Sequence, residues 1–188
     1  MRDPNQIRTF HGIYMDPFHP KTADILIEDI AHALAMLCRA NGHIRHFYSV
    51  AQHCLNCENE AEARGMSLRV RMFCLLHDAT ECYISDLTRP VKRHFKLYYQ
   101  VEAALAEVIY DALCNAQPTP EEFACVGIVD DCLLYHEFFE LCGVKMFDDE
   151  PPRFGSLDFA LQPFDTIVGQ YLERYRALEK ALRYQNKG

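Results

Sequence analysis

His77 and Asp78 stand side by side at the end of an apolar run, Phe73-Cys74-Leu75-Leu76. A histidine nitrogen and a carboxylate oxygen both bind a divalent metal at roughly 2.0–2.2 Å. An ionised aspartate next to Leu75 and Leu76 needs a partner to offset its desolvation. Neighbouring helical residues point about 100° apart. One ion can therefore reach both only beside the helix, near its end or where it bends. Two ligands do not make a stable site. His53 upstream and Asp130 downstream would complete a set of two histidines and two aspartates, leaving positions for water and a substrate oxygen. Each has a plainer reading as well. A single helical histidine is commonly a hydrogen-bonded, partly buried residue, and Asp130 is followed by Asp131.

The elements that must position these residues are mostly helical. Ile27, Ile30, Ala31, Leu34, Leu37 and Cys38 recur at three- and four-residue steps, which predicts a helix over 24–39 closed by Asn41-Gly42. Ser49 can cap a second helix that runs to about Ala63 and stops at Gly65. A third begins near Ser67 and carries Val70, Phe73, Cys74 and Leu76 into His77-Asp78-Ala79-Thr80-Glu81. After a loop at 85–90, further helices are expected over 95–115 and from Pro118-Thr119-Pro120 to about Cys142. Residues 143–163 are rich in Gly and Pro and read as loop, and 164–184 as a last helix. Near the N-terminus, 6–15 holds Gly12 between two β-prone runs, a plausible small hairpin. The expected class is all-α, a helical bundle with at most that hairpin, in one domain spanning 1–188.

Composition narrows the function. The 188 residues suit a single core, and about half are hydrophobic, at 49%. No apolar run of membrane-spanning length occurs, and Met1 to Gln6 lack the apolar stretch of a signal peptide. A cytoplasmic protein with no membrane partner is the expectation. The formal net charge of -8 argues against a nucleic-acid polymer, which needs a basic stripe. Arg89, Lys92 and Arg93 form a cluster the size of one phosphate. Nine cysteines are expected to be reduced thiols, with Cys54 and Cys57 a lone C-x-x-C whose second pair is missing. No glycine-rich phosphate loop is present, which disfavours ATP-driven transfer.

Longer blocks surround the four candidate ligands. They are Asp29-Ile30-Ala31-His32-Ala33-Leu34, Cys38-Arg39, Gly42-His43, Phe47-Tyr48-Ser49-Val50-Ala51-Gln52-His53, Leu76-His77-Asp78-Ala79-Thr80-Glu81 and Asp86-Leu87-Thr88-Arg89-Pro90-Val91-Lys92-Arg93. In this order, over roughly 7–142, the chain resembles the HD-domain metal-dependent phosphohydrolases. It looks most like the branch of bacterial 5′-deoxynucleotidases, prophage HD hydrolases and phage dATP triphosphohydrolases. The resemblance implies an HD-domain helical bundle with a motif core at about 24–142. It implies His53, His77, Asp78 and Asp130 as ligands of a divalent ion (Zn, Co, Mn or Mg), with Asp130 preferred over Asp131 because Asp130-x-x-Leu133-Leu134-x-x-Glu137 matches the family's helix. Glu81 would orient or deprotonate the attacking water, and Asp86 would be a second acidic site residue. Arg39 would clamp phosphate, with Lys92 as a further phosphate contact. Apart from the resemblance, Tyr48 is a candidate substrate contact by its aromatic side chain and its place near the site.

The implied reaction is hydrolysis of a deoxynucleotide. Either a dNMP would yield deoxynucleoside and phosphate, or a dNTP, notably dATP, would yield deoxynucleoside and triphosphate. Relatives form homo-oligomers, and a bacterial or phage protein in a bacterial cytoplasm is implied. The alternatives are an HD phosphodiesterase or alarmone hydrolase, and a non-catalytic nucleotide-binding module. On residues alone, Glu81 also reads as a solvated helix-end charge, Asp86 as a turn former, and Arg39 as a counter-charge to its own helix's C-terminus. Tyr48, His43 and His46 read equally well as packing or loop polarity. The resemblance breaks at Ala40, where relatives often carry an aromatic residue, so base preference does not carry over.

Overall fold

The computed structural model describes residues 3–185; Met1, Arg2 and 186–188 lie outside the described residues. The fold is mainly helical, with one two-stranded antiparallel hairpin of β1 (Ile7–Arg8) and β2 (Tyr14–Met15), in which Ile7 faces Met15. The helices are α1 (Ile27–Met36), α2 (Val50–Ala63), α3 (Leu68–Leu76), α4 (Glu81–Ile84), α5 (Arg89–Lys92), α6 (Lys96–Cys114), α7 (Pro120–Cys142) and α8 (Phe164–Gln185). Among the described residues no helix is long and apolar enough to cross a membrane.

Local chemistry starts and stops these helices where the sequence places the signals. Ser49 and Gln52 form a reciprocal capping box on α2: the Ser49 Oγ accepts the Gln52 amide at 3.1 Å and the Gln52 Oε1 accepts the Ser49 amide at 3.2 Å. Thr119 and Glu122 do the same for α7, with Pro120 in its first turn.

Helix α2 is the axis of the fold. It packs against α1, α3, α7 and α8, and every residue from Val50 to Glu58 is buried. A helix enclosed on all sides has no wet face. Its polar residues Gln52, His53, Asn56, Glu58 and Glu60 must therefore find partners inside the protein. Much of that partnering comes from the irregular segment between α7 and α8. Asn56 donates to the Asp158 carbonyl at 2.9 Å and accepts its amide at 3.1 Å, and Gln52 donates to the Ala160 carbonyl at 3.0 Å. The Glu60 carboxylate accepts the amides of Phe154 and Gly155. A Cβ at position 155 would come within 3.2 Å of the Asn59 carbonyl oxygen, so glycine lets this segment lie close on α2 without displacing it.

Two helix boundaries differ from the sequence expectation. The helix expected over 24–39 is α1 alone, preceded by a 3-10 turn at Thr22–Asp24. The apolar period continues through Leu37 and Cys38, but their backbone is taken by a different partner. The Val50 amide donates to the Leu37 carbonyl and the Arg39 amide to the Tyr48 carbonyl, around a bridge between Cys38 and Ser49. Arg39 therefore starts a separate 3-10 turn, Arg39–Gly42, in which Ala40 and Asn41 have φ of 51°. It is not a counter-charge on the last turn of its own helix. Similarly, α3 ends at Leu76, the chain turns through 77–80, and Glu81 opens α4.

Candidate metal centre and substrate cavity

The turn after α3 resolves the problem of two adjacent ligands. Because the helix stops at Leu76, the Cys74 carbonyl lies 2.8 Å from the His77 Nδ1. With that nitrogen donating, the Nε2 lone pair is left facing the interior. The same logic sets His53. Its Nδ1 lies 2.7 Å from the Glu137 Oε1, again leaving Nε2 free to act as a ligand. The two Nε2 atoms are 3.1 Å apart. Asp78 Oδ2 lies 3.5 Å from the His53 Nε2 and 3.3 Å from the His77 Nε2. Asp130 Oδ1 lies 3.3 Å and 3.8 Å from the same two atoms.

These separations suit one cation. Donor atoms held about 2.1 Å from a common ion sit about 3.0 Å apart at right angles and about 3.4 Å apart at tetrahedral angles. Without a cation, two imidazole lone pairs and two carboxylate oxygens would repel one another at these distances. The structure thus brings His53, His77, Asp78 and Asp130 together from α2, the turn after α3, and α7. Asp130 faces this cluster, whereas Asp131 pairs outside with Arg89 at 3.0 Å.

Two thiols underlie the cluster. Cys57 Sγ is 3.6 Å from the His53 Nε2. The donor atoms of His53, Cys57 and His77, and those of Cys54, His77 and Asp78, form groups that could hold a metal ion. Burial pushes both thiols up, so they favour the protonated form.

Charge at the centre is strongly coupled. Burial opposes ionisation of Asp78, but His77, His53 and Arg39 hold its carboxyl well below the usual range. Burial opposes ionisation of Asp130 too, and His53 and His77 likewise keep it low. Burial and the Arg39 charge pull His53 down, yet the Glu137 and Asp130 carboxylates carry it above its ordinary value. Burial also pulls His77 down, but Asp78 raises it well above. Burial, with Asp78 and Asp86 as neighbours, pushes Glu81 well up, and its Oε2 is buried with no hydrogen-bond partner among the described residues. Burial raises Asp86, partly offset by Arg39.

Beside this cluster opens a cavity of about 380 Å³. Arg39, Asp78, Glu81, Asp86, Lys92 and Asp130 line its polar side, and Leu134, Phe138 and Met146 its apolar side. The Arg39 guanidinium spans from Asp78, at 3.4 Å, to Glu137, at 3.5 Å. The left-handed backbone at Ala40 and Asn41 turns the chain here and places Ala40 and His43 on the wall. Lys92 reaches the cavity with its ammonium already 2.6 Å from Glu102 and over the rings of Tyr98 and Tyr99.

Tyr48 is a correction. The sequence reading gave it a substrate contact, but its side chain is fully buried behind Glu137. Its hydroxyl donates to the Glu137 Oε1 at 2.8 Å and accepts from Asn56 at 2.8 Å. Its contribution is to fix Glu137, which in turn fixes His53. His46, too, is spent on the Phe159 carbonyl at 2.8 Å. Two residues gain importance. Glu137, named from sequence only in the spacing after Asp130, braces Arg39 and orients His53; its place two turns beyond Asp130 was the signal. Arg89 bonds Asp130 at 3.1 Å as well as Asp131, and lines the cavity. Only its membership in the basic cluster pointed to it.

Comparison with known proteins adds kinship without function. The chain is 37% identical over 122 residues to an uncharacterized protein, YfdR, of Escherichia coli, a match covering 63% of this chain and 65% of that one. It is 39% identical over 109 residues to an uncharacterized protein of Rhodobacter capsulatus, covering 55% of each. The chain thus spans less than two thirds of the length of either relative. No family model matches it.

Proposed function

We propose that this chain is a metal-dependent phosphohydrolase of the HD-domain type that acts on deoxynucleotides. One observation carries the reading: two histidine nitrogens 3.1 Å apart each lie 3.3–3.8 Å from two aspartate oxygens, beside a cavity also lined by a half-buried arginine. A divalent ion held by His53, His77, Asp78 and Asp130 would supply Lewis acidity toward a phosphoryl oxygen and toward water.

The chain's own residues do the rest. Arg39 presents a planar double donor to the phosphoryl oxygens and balances charge that grows there as the bond to the leaving oxygen breaks. Glu81, facing the same cavity, takes a proton from the attacking water and passes it toward the leaving oxygen. Asp86, across the cavity, keeps Glu81 raised and helps place the water. Leu134, Phe138 and Met146 offer the nucleoside an apolar wall.

The size and charge of the cavity favour a monophosphate. Its volume of about 380 Å³ is near the low end of small-molecule sites, roughly 300–1,000 Å³. Two of its cations are already engaged, Lys92 with Glu102 and Arg89 with Asp130 and Asp131. A triphosphate would need to displace both. The test is to incubate the purified chain with each dNMP and dNTP and Co²⁺, Mn²⁺ or Zn²⁺, measuring phosphate and triphosphate. Phosphate release from dNMPs is expected. Triphosphate from dNTPs would move the substrate assignment, and no release from any nucleotide would overturn the reading.

A further inference from the structure

The segment 85–92 brings Asp86 and Lys92 to the cavity, yet only Arg89–Lys92 of it is helical. Its start is fixed at Ser85. The Ser85 amide closes α4 by donating to the Glu81 carbonyl at 2.8 Å. Ser85 then turns the chain with φ 69° and ψ 158°. This is the mirror of ordinary extended backbone, which glycine enters freely and a residue with a Cβ enters only under constraint. Ala40, Asn41 and Asn115 also have positive φ, but with ψ near 30° they sit in the left-handed helical region. Among the described non-glycine residues, Ser85 alone combines positive φ with extended ψ.

Such a conformation persists only where the surroundings impose it. The Ser85 side chain is exposed, so its own packing does not impose the turn. The constraint comes from α6: the Tyr98 hydroxyl donates to the Ser85 carbonyl at 2.6 Å. Burial, with Glu102 beside it, pushes that hydroxyl up, so it keeps the proton it donates. The residue after Ser85 is Asp86, which shares the cavity wall with Glu81. At an ordinary φ the chain would leave α4 in another direction and take Asp86 with it. The Tyr98 ring has a separate contact, with the Lys92 ammonium 5.1 Å from its centroid. We propose that Tyr98 is a positioning residue, whose hydroxyl holds Ser85 in the mirrored turn and so keeps Asp86 on the cavity wall with Glu81. Tyr98 itself touches no reacting atom. Its effect on turnover rests on the phosphohydrolase reading; its effect on the turn does not.

The test is a double-substitution cycle in the full chain. Tyr98→Phe removes the hydroxyl and leaves the ring beside Lys92. Ser85→Gly removes the Cβ that resists the turn. Tyr98→Phe should lower kcat for phosphate release about tenfold, the worth of one hydrogen bond. Its KM and bound metal should stay within about twofold of wild type, since no substrate or metal contact is lost. Ser85→Gly alone should stay within about threefold of wild type, as an exposed substitution. In the Ser85→Gly chain, Tyr98→Phe should cost less than about threefold, because glycine enters the turn with little strain to offset. Independently of turnover, the Leu87 and Thr88 amide signals in ¹H–¹⁵N NMR should move with Tyr98→Phe in the wild-type background and hardly move in the Ser85→Gly background. An unchanged kcat in Tyr98→Phe, a loss of equal size in both backgrounds, or a loss that sits in KM would each overturn the proposal. If wild type releases no phosphate from any nucleotide, the phosphohydrolase reading fails and the amide signals decide alone: signals that Tyr98→Phe leaves in place overturn the role of Tyr98.

Discussion

On one side of α2, Glu58 receives guanidinium groups from Arg71 and Arg174, and Glu60 receives Arg64 and the amides of Phe154 and Gly155. On another side, His53 faces His77, Asp78 and Asp130. Both sides bury charge on one helix: the first balances it with guanidinium groups and amides, the second with imidazole protons that a metal ion would have to displace. The first set of partners holds the fold together, and the second is what a bound cation would replace.

The largest expected break in this comparison is at Asp78. Asp78→Ala should lose bound metal and cut phosphate release by at least about 10³-fold, since Lewis acid and water activation go together. The metal-free variant should also melt lower than metal-free wild type, because His77, His53 and Arg39 lose the carboxylate that offsets their charge. Metal content by mass spectrometry, phosphate release and thermal melting check the three parts; wild-type turnover by a metal-free variant would separate activity from the cluster.

Glu58→Ala should do the reverse. It strands Arg71 and Arg174 beside a buried gap and should cost about 2–4 kcal/mol of stability, less than a fully buried pair because both arginines reach solvent. Urea titration measures this. Metal stoichiometry at low denaturant should stay at the wild-type value, and loss of metal there would erase the distinction between the two sides.

Glu137→Gln sits between the two behaviours. It keeps the shape but weakens the hold on the His53 Nδ1 and on Arg39. Metal affinity should fall about 10–100-fold, as for other residues that orient a ligand from behind. Competition with a chromophoric chelator reads the change. An unchanged affinity would mean that His53 is positioned by packing alone.

The smallest effect is the pH dependence, and its sign differs with and without metal. In the metal-free chain His53 and His77 are raised above their ordinary value of 6.5. Their protons contribute stability that is complete below that value and is lost as pH rises through the folded one. Metal-free melting temperature should therefore fall as pH rises above about 6.5. Metal must displace those protons, so its affinity should rise over the same interval, by up to about tenfold per pH unit for each proton released. Melting curves with and without Zn²⁺ from pH 6 to pH 8.5 should diverge; parallel curves would show that the histidines do not exchange protons for metal.

Helices, their caps and the N-terminal hairpin were legible in the sequence because their signals are local. Ser49 lies within one turn of what it caps, and the apolar period of α1 or α3 depends on near neighbours. The donor types of the metal centre were legible for a similar reason: His77-Asp78 in an apolar run is an imbalance visible on the page. What failed was orientation. Leu37 and Cys38 fit the helical period, yet a backbone bridge to 48–50 took them and turned Arg39 toward the cluster. Tyr48 looked like a loop residue near the substrate, and only the packing of α7 on α2 showed its hydroxyl spent on Glu137. The aperiodic stretch 143–163 gave no hint that it fastens to Asn56, Gln52 and Glu60.

By itself, then, the sequence determined a mainly helical chain, where its long helices α2, α3, α6, α7 and α8 lie, and the side chains able to hold a divalent ion. Tertiary structure alone decided which nitrogen of each histidine faces the cluster, and that Tyr48 is buried behind Glu137 instead of lining the cavity. The physical reason is range. Periodicity and capping act over three or four residues, whereas the hydrogen bond that orients His53 comes from Glu137, 84 positions along the chain.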